Sequence, residues 1–133
     1  MSKARDFSLR DKFATYNSME VVEVAQGFAR ARLDVKPQHH NGLGTVHGGV
    51  LFTLADLAFA AASNFGEDTV VGINASMSFF KAASQGVLLA EAREVTRSAK
   101  LVAYEAKVTN DSGDIIAVFQ GTGYIKSNSR VQK

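Results

Sequence analysis

The 133-residue sequence contains no cysteine, and this absence excludes several kinds of chemistry. There can be no disulfide framework, no thiolate zinc site and no cysteine nucleophile, and no redox role follows. The absence leaves the cellular compartment open and is compatible with the cytoplasm. Proline is nearly absent as well. The single proline, Pro37, stands at the entrance to a glycine-rich segment.

The sequence also lacks a long apolar run and a strong excess of charge. The longest apolar run, residues 50–62, is interrupted by Asp56. It is also too short for a membrane-spanning helix, which needs about 20 residues. The N-terminus has no apolar signal segment. The net charge is only +2 and the basic residues are scattered, unlike the basic stripe of a nucleic-acid binder. We therefore expect a cytoplasmic protein with no membrane or nucleic-acid partner.

What is present is the composition of an ordinary globular protein, 46% hydrophobic and 21% charged. No internal repeat or linker divides the chain, so we expect one domain over residues 1–133. Residues 6–14 predict a short N-terminal helix. Residues 127–133 are expected to form a flexible C-terminal tail.

Alternating apolar and polar residues predict a sheet of five or six strands. Segments 19–25 and 28–35 flank Gly27 in the pattern of a hairpin. Further strands are predicted at 69–80, 87–96, 101–110 and 114–126. In the strand at 69–80, the alternation places five residues on the inner face: Val71, Ile73, Ala75, Met77 and Phe79.

One long helix is predicted at about 47–65, with Gly66 as the left-handed residue that ends it. The expected fold is therefore α+β, with an antiparallel sheet wrapped around a central helix. Small side chains on the helix allow the strands to approach closely.

A single acidic residue, Asp56, lies in the middle of this helix among apolar neighbours. An ionised carboxylate there is costly unless it is solvated or hydrogen-bonded. Gly49, Thr53, Asp56 and Ala60 recur at helical spacing and form a narrow face open to water. This face is either merely solvated or part of a functional site. We favour the functional interpretation for Asp56 and take Thr53 as a wall of the same face.

The segment before the helix, residues 39–49, contains all three histidines and ends in Gly48 and Gly49. The backbone amides of these glycines begin the helix and have no partner within it. With the positive end of the helix dipole, they can hold a carbonyl oxygen as it gains negative charge. We predict an oxyanion hole here. The alternative is that the glycine pair only permits a turn or close packing.

The order and spacing of these residues resemble a known family. The run Asn41-Gly-Leu-Gly-Thr-Val-His-Gly-Gly-Val-Leu-Phe-Thr-Leu-Ala-Asp56 is similar to the signature of hotdog-fold acyl-CoA thioesterases of the PaaI type. The resemblance implies a hotdog fold and hydrolysis of an acyl-CoA, with an aromatic or other acyl group, to the free acid and coenzyme A. No cofactor is implied, because coenzyme A is part of the substrate.

The resemblance also implies roles for individual residues. Asp56 acts as a general base or a nucleophile, and the amide of Gly48 polarises the thioester carbonyl. Asn41 positions water or substrate, and His47 orients Asn41 and the loop. Arg97 and Lys100 match a strand-connecting turn that is basic in the family, and we expect them to contact coenzyme A. The other expected substrate-binding residues are Gly49, Phe52, Thr53, Phe59, Asn64 and either Gly72 or Asn74.

These roles require a second subunit. Gly48 and Asp56 are eight positions apart, which separates them by roughly 12 Å along one helix. Catalytic groups must come within about 3–3.5 Å of the reacting atoms. We therefore predict a homodimer in which Gly48 of one subunit meets Asp56 of its partner. The resemblance further implies that such dimers pair into tetramers.

Three alternatives remain open from the sequence. A metal site built from His39, His40 and His47 lacks a carboxylate ligand, and adjacent histidines do not define a coordination geometry, so we expect no metal. A hotdog hydroxyacyl-thioester dehydratase would pair a loop histidine with a helical acid, as His47 and Asp56 are placed. The second glycine and Asn41 fit a thioesterase better. A non-catalytic acyl-CoA-binding protein would keep the same residues, and only an assay separates it.

Overall fold

A computed structural model describes residues 3–126 of the chain. Its elements, in chain order, are helices α1 (Lys3–Arg10) and α2 (Lys12–Tyr16), strands β1 (Met19–Ala25) and β2 (Phe28–Asp34), a short 3-10 turn at Pro37–His39, helix α3 (Gly48–Ser63), and strands β3 (Thr69–Phe79), β4 (Val87–Arg97), β5 (Leu101–Thr109) and β6 (Ile115–Lys126). The predicted tail at 127–133 lies outside the described residues.

The six strands form one sheet in the spatial order β1-β2-β4-β5-β6-β3, and every neighbouring pair is antiparallel. Helix α3 packs across its inner face, where Leu54 is fully buried. The predicted α+β plan is therefore confirmed. Alanine allows the close contact between sheet and helix, and five alanines of the inner face are 0% exposed: Ala29, Ala31, Ala90, Ala92 and Ala106.

The N-terminal segment contains two helices rather than the single helix predicted at 6–14. The break falls at Asp11, whose backbone is extended and whose Oδ1 accepts a hydrogen bond from Ala14 N at 3.0 Å. Asp11 thereby caps α2, because an aspartate oxygen satisfies an amide that has no partner within the helix. The cap turns the chain, so that α1 packs on β1 and α2 packs beside α3.

Helix α3 ends at Ser63, and the predicted role of Gly66 is wrong because Gly66 does not have a positive φ. The side chain of Asn64 ends the helix instead. Its Nδ2 donates to Ala60 O at 2.9 Å and to Val70 O at 3.2 Å, and its Oδ1 accepts from Val70 N at 2.8 Å. Asn64, which was expected to meet the acyl group, is therefore occupied in joining α3 to β3.

A β-bulge in β3 changes which residues face the helix. The register pairs Gly72 with Gly123. It then pairs Asn74 with Thr122, so Ile73 is the extra residue. An extra residue exchanges the two faces of a strand, because side chains alternate with a period of two. The predicted inner face is therefore wrong before the bulge.

The exposures of the β3 side chains follow this exchange. Val71 and Ile73, predicted to face inward, are 46% and 58% exposed. Gly72 faces inward instead, since a Cβ on it would lie 3.4 Å from the Phe59 ring. Beyond the bulge, Met77 packs against the core as predicted.

Strand β3 is an edge of the sheet, so one side of its backbone has no strand beside it. Large apolar side chains are exposed along it and just after it, with Phe79 at 56% and Phe80 at 66%. An open edge with exposed apolar residues is typical of a surface that pairs with another chain. Separately, no helix within residues 3–126 has the length and apolar character needed to span a membrane.

Candidate active site

Asn41 closes the glycine-rich loop. Its Oδ1 accepts hydrogen bonds from Leu43 N at 2.9 Å and from Thr45 N at 3.1 Å, and its backbone N–H donates to Thr45 O at 2.8 Å. Gly44 allows the tight turn because its φ is +80°. Within the described part of the chain, Asn41 Nδ2 has no hydrogen-bond acceptor. It remains available to bind water or substrate.

His47 caps the first turn of α3. Its Nδ1 accepts a hydrogen bond from Gly49 N at 2.8 Å, so the neutral ring carries its proton on Nε2. Its backbone N–H donates to His39 O at 2.8 Å. The expectation that both glycine amides are available is therefore wrong for Gly49. The predicted contact with Asn41 is also absent among residues 3–126, because the ring is turned to the helix.

Gly48 keeps a free amide at the start of α3. No acceptor for its N–H occurs among residues 3–126, since the ring of His47 reaches only the next amide. A Cβ on Gly48 would lie 3.3 Å from the ring of Phe79 at the end of β3. The absence of a side chain therefore leaves the amide open, with the positive end of the helix dipole behind it.

Asn41 and Gly48 line the same cavity, which has a volume of about 400 Å³. Two of the predicted catalytic residues are thus brought together in one protomer. An oxygen atom in this cavity can be approached by the Gly48 N–H and by the Asn41 amide. Further lining residues are Leu51, Phe79, Phe80 and Lys81.

On the face of α3 that was predicted to be open to water, Gly49 and Asp56 are exposed, and Thr53 and Ala60 are partly exposed. The Thr53 hydroxyl donates to Gly49 O at 2.7 Å, so it is occupied in the helix. Asp56 has no hydrogen bond or ion pair with any residue between 3 and 126. Its pKa is raised, first by partial desolvation among apolar atoms and then by the carboxylate of Asp11. A raised pKa makes the ionised carboxylate a stronger base.

The proximity of Asp11 to Asp56 was not predicted from the sequence. The sequence signal for this proximity is a helix N-cap. Asp11, three residues before Ala14, starts a second short helix, and that helix packs beside α3. Only the packing of α2 beside α3 brings the two carboxylates close.

One protomer does not bring Gly48 and Asp56 together. Gly48 faces the end of β3, whereas Asp56 faces outward and toward Asp11. The two residues remain roughly 12 Å apart along the helix axis.

The aromatic residues of α3 take different positions. Phe59 is only 3% exposed, and its ring lies edge-on to Tyr104 with centroids 5.5 Å apart. The expectation that Phe59 meets the substrate is wrong for this protomer, because its ring is covered by the sheet. Phe52 is partly exposed and packs edge-on against Phe119, with centroids 5.3 Å apart. Asn74 lies exposed on the β3 edge.

Arg97 and Lys100 flank the turn between β4 and β5, and each has a contact within the protomer. Arg97 Nε donates to Glu94 Oε1 at 3.0 Å, and Tyr104 OH donates to the same oxygen at 3.0 Å. Burial, followed by the charge and hydrogen bond of Glu94, raises the pKa of Tyr104 to about 12. Lys100 Nζ lies 5.9 Å from the ring centroid of Tyr124.

This turn lies at the opposite end of the sheet from Gly48. Tyr124, beneath Lys100, pairs with Val71, whereas Gly48 lies against Phe79. Val71 and Phe79 are eight positions apart along the strand, a length of about 27 Å. The basic turn and the Gly48 cavity of one protomer are therefore far apart.

The other two histidines hold the loop in place. His39 is buried; its Nδ1 accepts from Lys36 N at 2.9 Å and its Nε2 donates to Asn17 O at 2.8 Å. His40 Nε2 donates to Ser84 O at 2.7 Å. Over residues 3–126, no group of three histidine or carboxylate side chains is arranged to hold a metal ion.

The family model of the Thioesterase superfamily matches residues 43–117, from the glycine-rich loop into β6. This range covers more than half of the chain. The chain belongs to the thioesterase superfamily.

Individual relatives agree with this assignment. A putative esterase from Archaeoglobus fulgidus is 36% identical over 126 residues, which cover 93% of this chain and 82% of the relative. The acyl-coenzyme A thioesterase PaaI of Escherichia coli is 29% identical, covering 86% and 82% of the two chains. The solved structure of a mutant of the phenylacetic acid degradation protein PaaI from Thermus thermophilus is 34% identical, with a TM-score of 0.81, and covers 86% and 98%. The predicted hotdog fold and thioester hydrolase class are thus confirmed.

Proposed function

We propose that this thioesterase hydrolyses an acyl-CoA at a site shared by two protomers. The observation that carries the proposal is the unpaired Gly48 amide, which opens into a cavity at the positive end of α3. A donor held in this way is ready for the oxygen of a thioester carbonyl. The similarity to acyl-coenzyme A thioesterase PaaI supports coenzyme A as the carrier of the acyl group.

In the proposed reaction, Gly48 N–H donates a hydrogen bond to the carbonyl oxygen as that oxygen becomes negative. The helix dipole adds to this stabilisation, and Asn41 Nδ2 positions the water or the substrate. A donor of this kind contributes about 10²–10³ in kcat, because it is strongest toward the charged tetrahedral intermediate.

Asp56 of the partner subunit acts on the other side of the carbonyl carbon. As a general base it takes a proton from water, the water oxygen bonds to the carbon, and the carbon–sulfur bond breaks to release coenzyme A thiolate. As a nucleophile it bonds to the carbon first, the carbon–sulfur bond breaks to release coenzyme A thiolate, and water then hydrolyses the resulting anhydride to the free acid and the Asp56 carboxylate. Both routes are served by an exposed carboxylate with a raised pKa. A thiolate leaves readily, so no serine triad is needed.

The open edge of β3 supplies a reason for two protomers to meet. Pairing of two β3 strands about a twofold axis covers their exposed apolar residues and is antiparallel by symmetry. Each α3 runs alongside β3, so the same pairing sets the two α3 helices side by side in opposite directions. This moves Gly48 of one protomer toward Asp56 of the partner subunit.

The proposed twofold symmetry also brings basic residues toward the coenzyme A part of the substrate. The turn with Arg97 and Lys100 is far from Gly48 of its own protomer, but antiparallel pairing carries it toward the Gly48 end of the other protomer. We therefore assign these two basic residues to the coenzyme A phosphates of the neighbouring site. Further pairing of dimers into tetramers is part of the proposal, on the basis of the family resemblance.

The deciding experiment measures thiol release from a panel of acyl-CoAs by the parent, Asp56→Asn and Asn41→Ala. We expect turnover by the parent and none by folded Asp56→Asn. Hydrolysis by Asp56→Asn at the parent rate would contradict the role of Asp56. Thiol release from no substrate would favour a non-catalytic acyl-CoA-binding protein. Addition of water to an enoyl-CoA without thiol release would favour a dehydratase.

A further inference from the structure

The two edges of the sheet differ in how their backbone is covered. Strands β1 and β3 are these edges. On β3, the side chain of Asn64 bonds to the backbone of Val70 at the start of the strand. From 71 to 79, no side chain among residues 3–126 makes a hydrogen bond to the β3 backbone. The β3 edge is therefore open over most of its length, whereas β1 lies against α1.

The side chain of Ser8, on α1, closes the middle of the β1 edge. Val21 N donates a hydrogen bond to Ser8 Oγ at 2.6 Å. The same hydroxyl donates to Ala4 O at 3.0 Å, and Val21 O lies 3.5 Å from it. In an antiparallel pair, a residue of the adjoining strand bonds to both the N–H and the C=O of the residue opposite. Ser8 Oγ therefore occupies the place that an added strand would take at Val21.

The bond from Val21 is not explained by the helix to which Ser8 belongs. A serine within a helix often donates to the carbonyl four residues before it, as Ser8 does to Ala4. That bond needs no strand beside it. Val21 is 4% exposed and Ser8 is 8% exposed, so water has little access to the Val21 amide. Because a buried amide without a partner is costly, the Ser8 hydroxyl is what allows α1 to cover this edge.

Two further contacts hold α1 in place over β1. The Thr15 hydroxyl, on α2, donates to Ser8 O at 2.7 Å and so ties the two helices together. Phe7, next to Ser8, packs against the hydrophobic core. The helix is thus fastened on both sides of the strand edge that it covers.

A β-bulge interrupts β1 directly after the covered residue. The register pairs Val21 with Ala31 and Glu23 with Arg30, so Val22 is the extra residue. A bulge disrupts the regular ladder and increases the local twist, and it is one of the ways in which edge strands avoid pairing. The bulge and the Ser8 hydroxyl therefore act side by side on the same short strand.

We propose that α1, through Ser8, closes the β1 edge against a second copy of the chain, so that another protomer adds a strand only at β3. Protomers with two open edges would join alternately through β1 and through β3, and such joining continues without closing on itself. With β1 covered, edge-to-edge pairing stops at two protomers. This inference goes beyond the proposed function and does not depend on which reaction the protein catalyses.

Hydrogen exchange of backbone amides in the full chain tests the role of the hydroxyl. Ser8→Ala removes Oγ and keeps the helix, because alanine is the best helix former. The reference amide is that of Ala106, which is 0% exposed on the central strand β5 and reports the stability of the whole fold. We expect the ratio of the Val21 rate to the Ala106 rate to rise at least tenfold, roughly the effect of one lost partner. An unchanged ratio would mean that Ser8 only stabilises the fold, and it would overturn the proposal.

Ser8→Glu tests whether the uncovered edge pairs with another copy. A glutamate at this buried position brings a charge between α1 and β1 and drives the helix away from the strand. Leu9→Glu is the matched control, since it adds the same charge to the same helix at a position that is 45% exposed and keeps the Ser8 hydroxyl. Both variants are compared with the parent.

An introduced cysteine identifies which strands meet. The sequence contains no cysteine, so with Val22→Cys in each protein every disulfide between two chains joins β1 to β1. We expect disulfide formation at least about tenfold faster with Ser8→Glu than with Leu9→Glu, and larger species in sedimentation. Equal disulfide rates in the folded proteins would overturn the proposal. If Ser8→Glu does not fold, Ser8→Ala is compared with the parent in the same assay, and equal rates there are equally decisive.

Discussion

The Gly48 amide can be removed with little change to the helix, which makes it the sharpest test of the site. Gly48 is the first residue of α3, and proline is favoured at that position because the amide there has no partner within the helix. The preceding residue, His47, has φ −59° and ψ 136°, an extended conformation that a following proline accepts. Gly48→Pro therefore keeps the start of the helix and removes one hydrogen-bond donor.

The matched control is Gly48→Ala, which adds the same Cβ and keeps the N–H. In both variants the Cβ lies 3.3 Å from Phe79, a tight contact that the 56% exposed ring can relieve by moving. Loss of one oxyanion donor lowers kcat by about 10²–10³, equivalent to about 2.7–4 kcal/mol. We expect this loss for Gly48→Pro and less than about tenfold, or 1.4 kcal/mol, for Gly48→Ala.

The assay is steady-state thiol release on the substrate that the parent hydrolyses best, with thermal unfolding to verify that both variants are folded. If folded Gly48→Pro and Gly48→Ala have the same kcat, the amide does not stabilise the transition state, and the proposed mechanism is refuted.

Mixing two inactive variants tests whether the site is shared. Gly48→Pro retains Asp56, and Asp56→Asn retains the Gly48 amide. After subunit exchange in an equal mixture, about half of the dimers contain one of each and have one intact site of two, so about a quarter of the parent activity should return. No recovery, with exchange verified by mass-labelled subunits, would place both groups in one protomer.

Three other predictions follow from the contacts of the described residues. Asp11→Asn should move the acidic limb of the kcat/KM pH profile to lower pH, because asparagine still caps α2 but no longer raises the pKa of Asp56; an unmoved limb would contradict this. Ile73→Lys, on the β3 edge, should shift the assembly toward monomers in sedimentation, while Val95→Lys, also at an exposed position but on β4, should not. The free energy of unfolding should fall between pH 10.0 and about 12, since unfolded Tyr104 ionises first. Urea titrations of Tyr104→Phe should lack that decline.

The strands and the main helix were predictable because their signals are local. The hairpin around Gly27 is present, and Gly27 has a φ of +72°. The bounds of β4 and β5 differ from the prediction by one residue each. Alternation with period two and an alanine-rich apolar run specify such elements without reference to the rest of the chain.

The errors occur where a distant or unexpected contact decides the outcome. The apolar spacing at 6–14 does not reveal that Asp11 accepts a hydrogen bond from the Ala14 amide and so starts a second helix. The end of α3 depends on a bond between Asn64 and a strand that begins several residues later. Alternation through Val71 is overridden by the bulge at Ile73, which exists only in the pairing of β3 with β6.

The candidate site shows the same division. The signature from Asn41 to Asp56 could be recognised from residue order, because loop chemistry and helical spacing place an amide and an acid on one element. Residue order does not show that His47 occupies the Gly49 amide and leaves that of Gly48 free.

The sequence by itself determined the α+β fold and the thioesterase signature, since both follow from short-range patterns, and helix geometry led from that signature to the prediction of two subunits. Only the tertiary structure decided which amide is free, which face of β3 meets the helix, and that the packing of α2 on α3 brings Asp11 near Asp56. These features arise from contacts between segments far apart in sequence, and no local pattern encodes them.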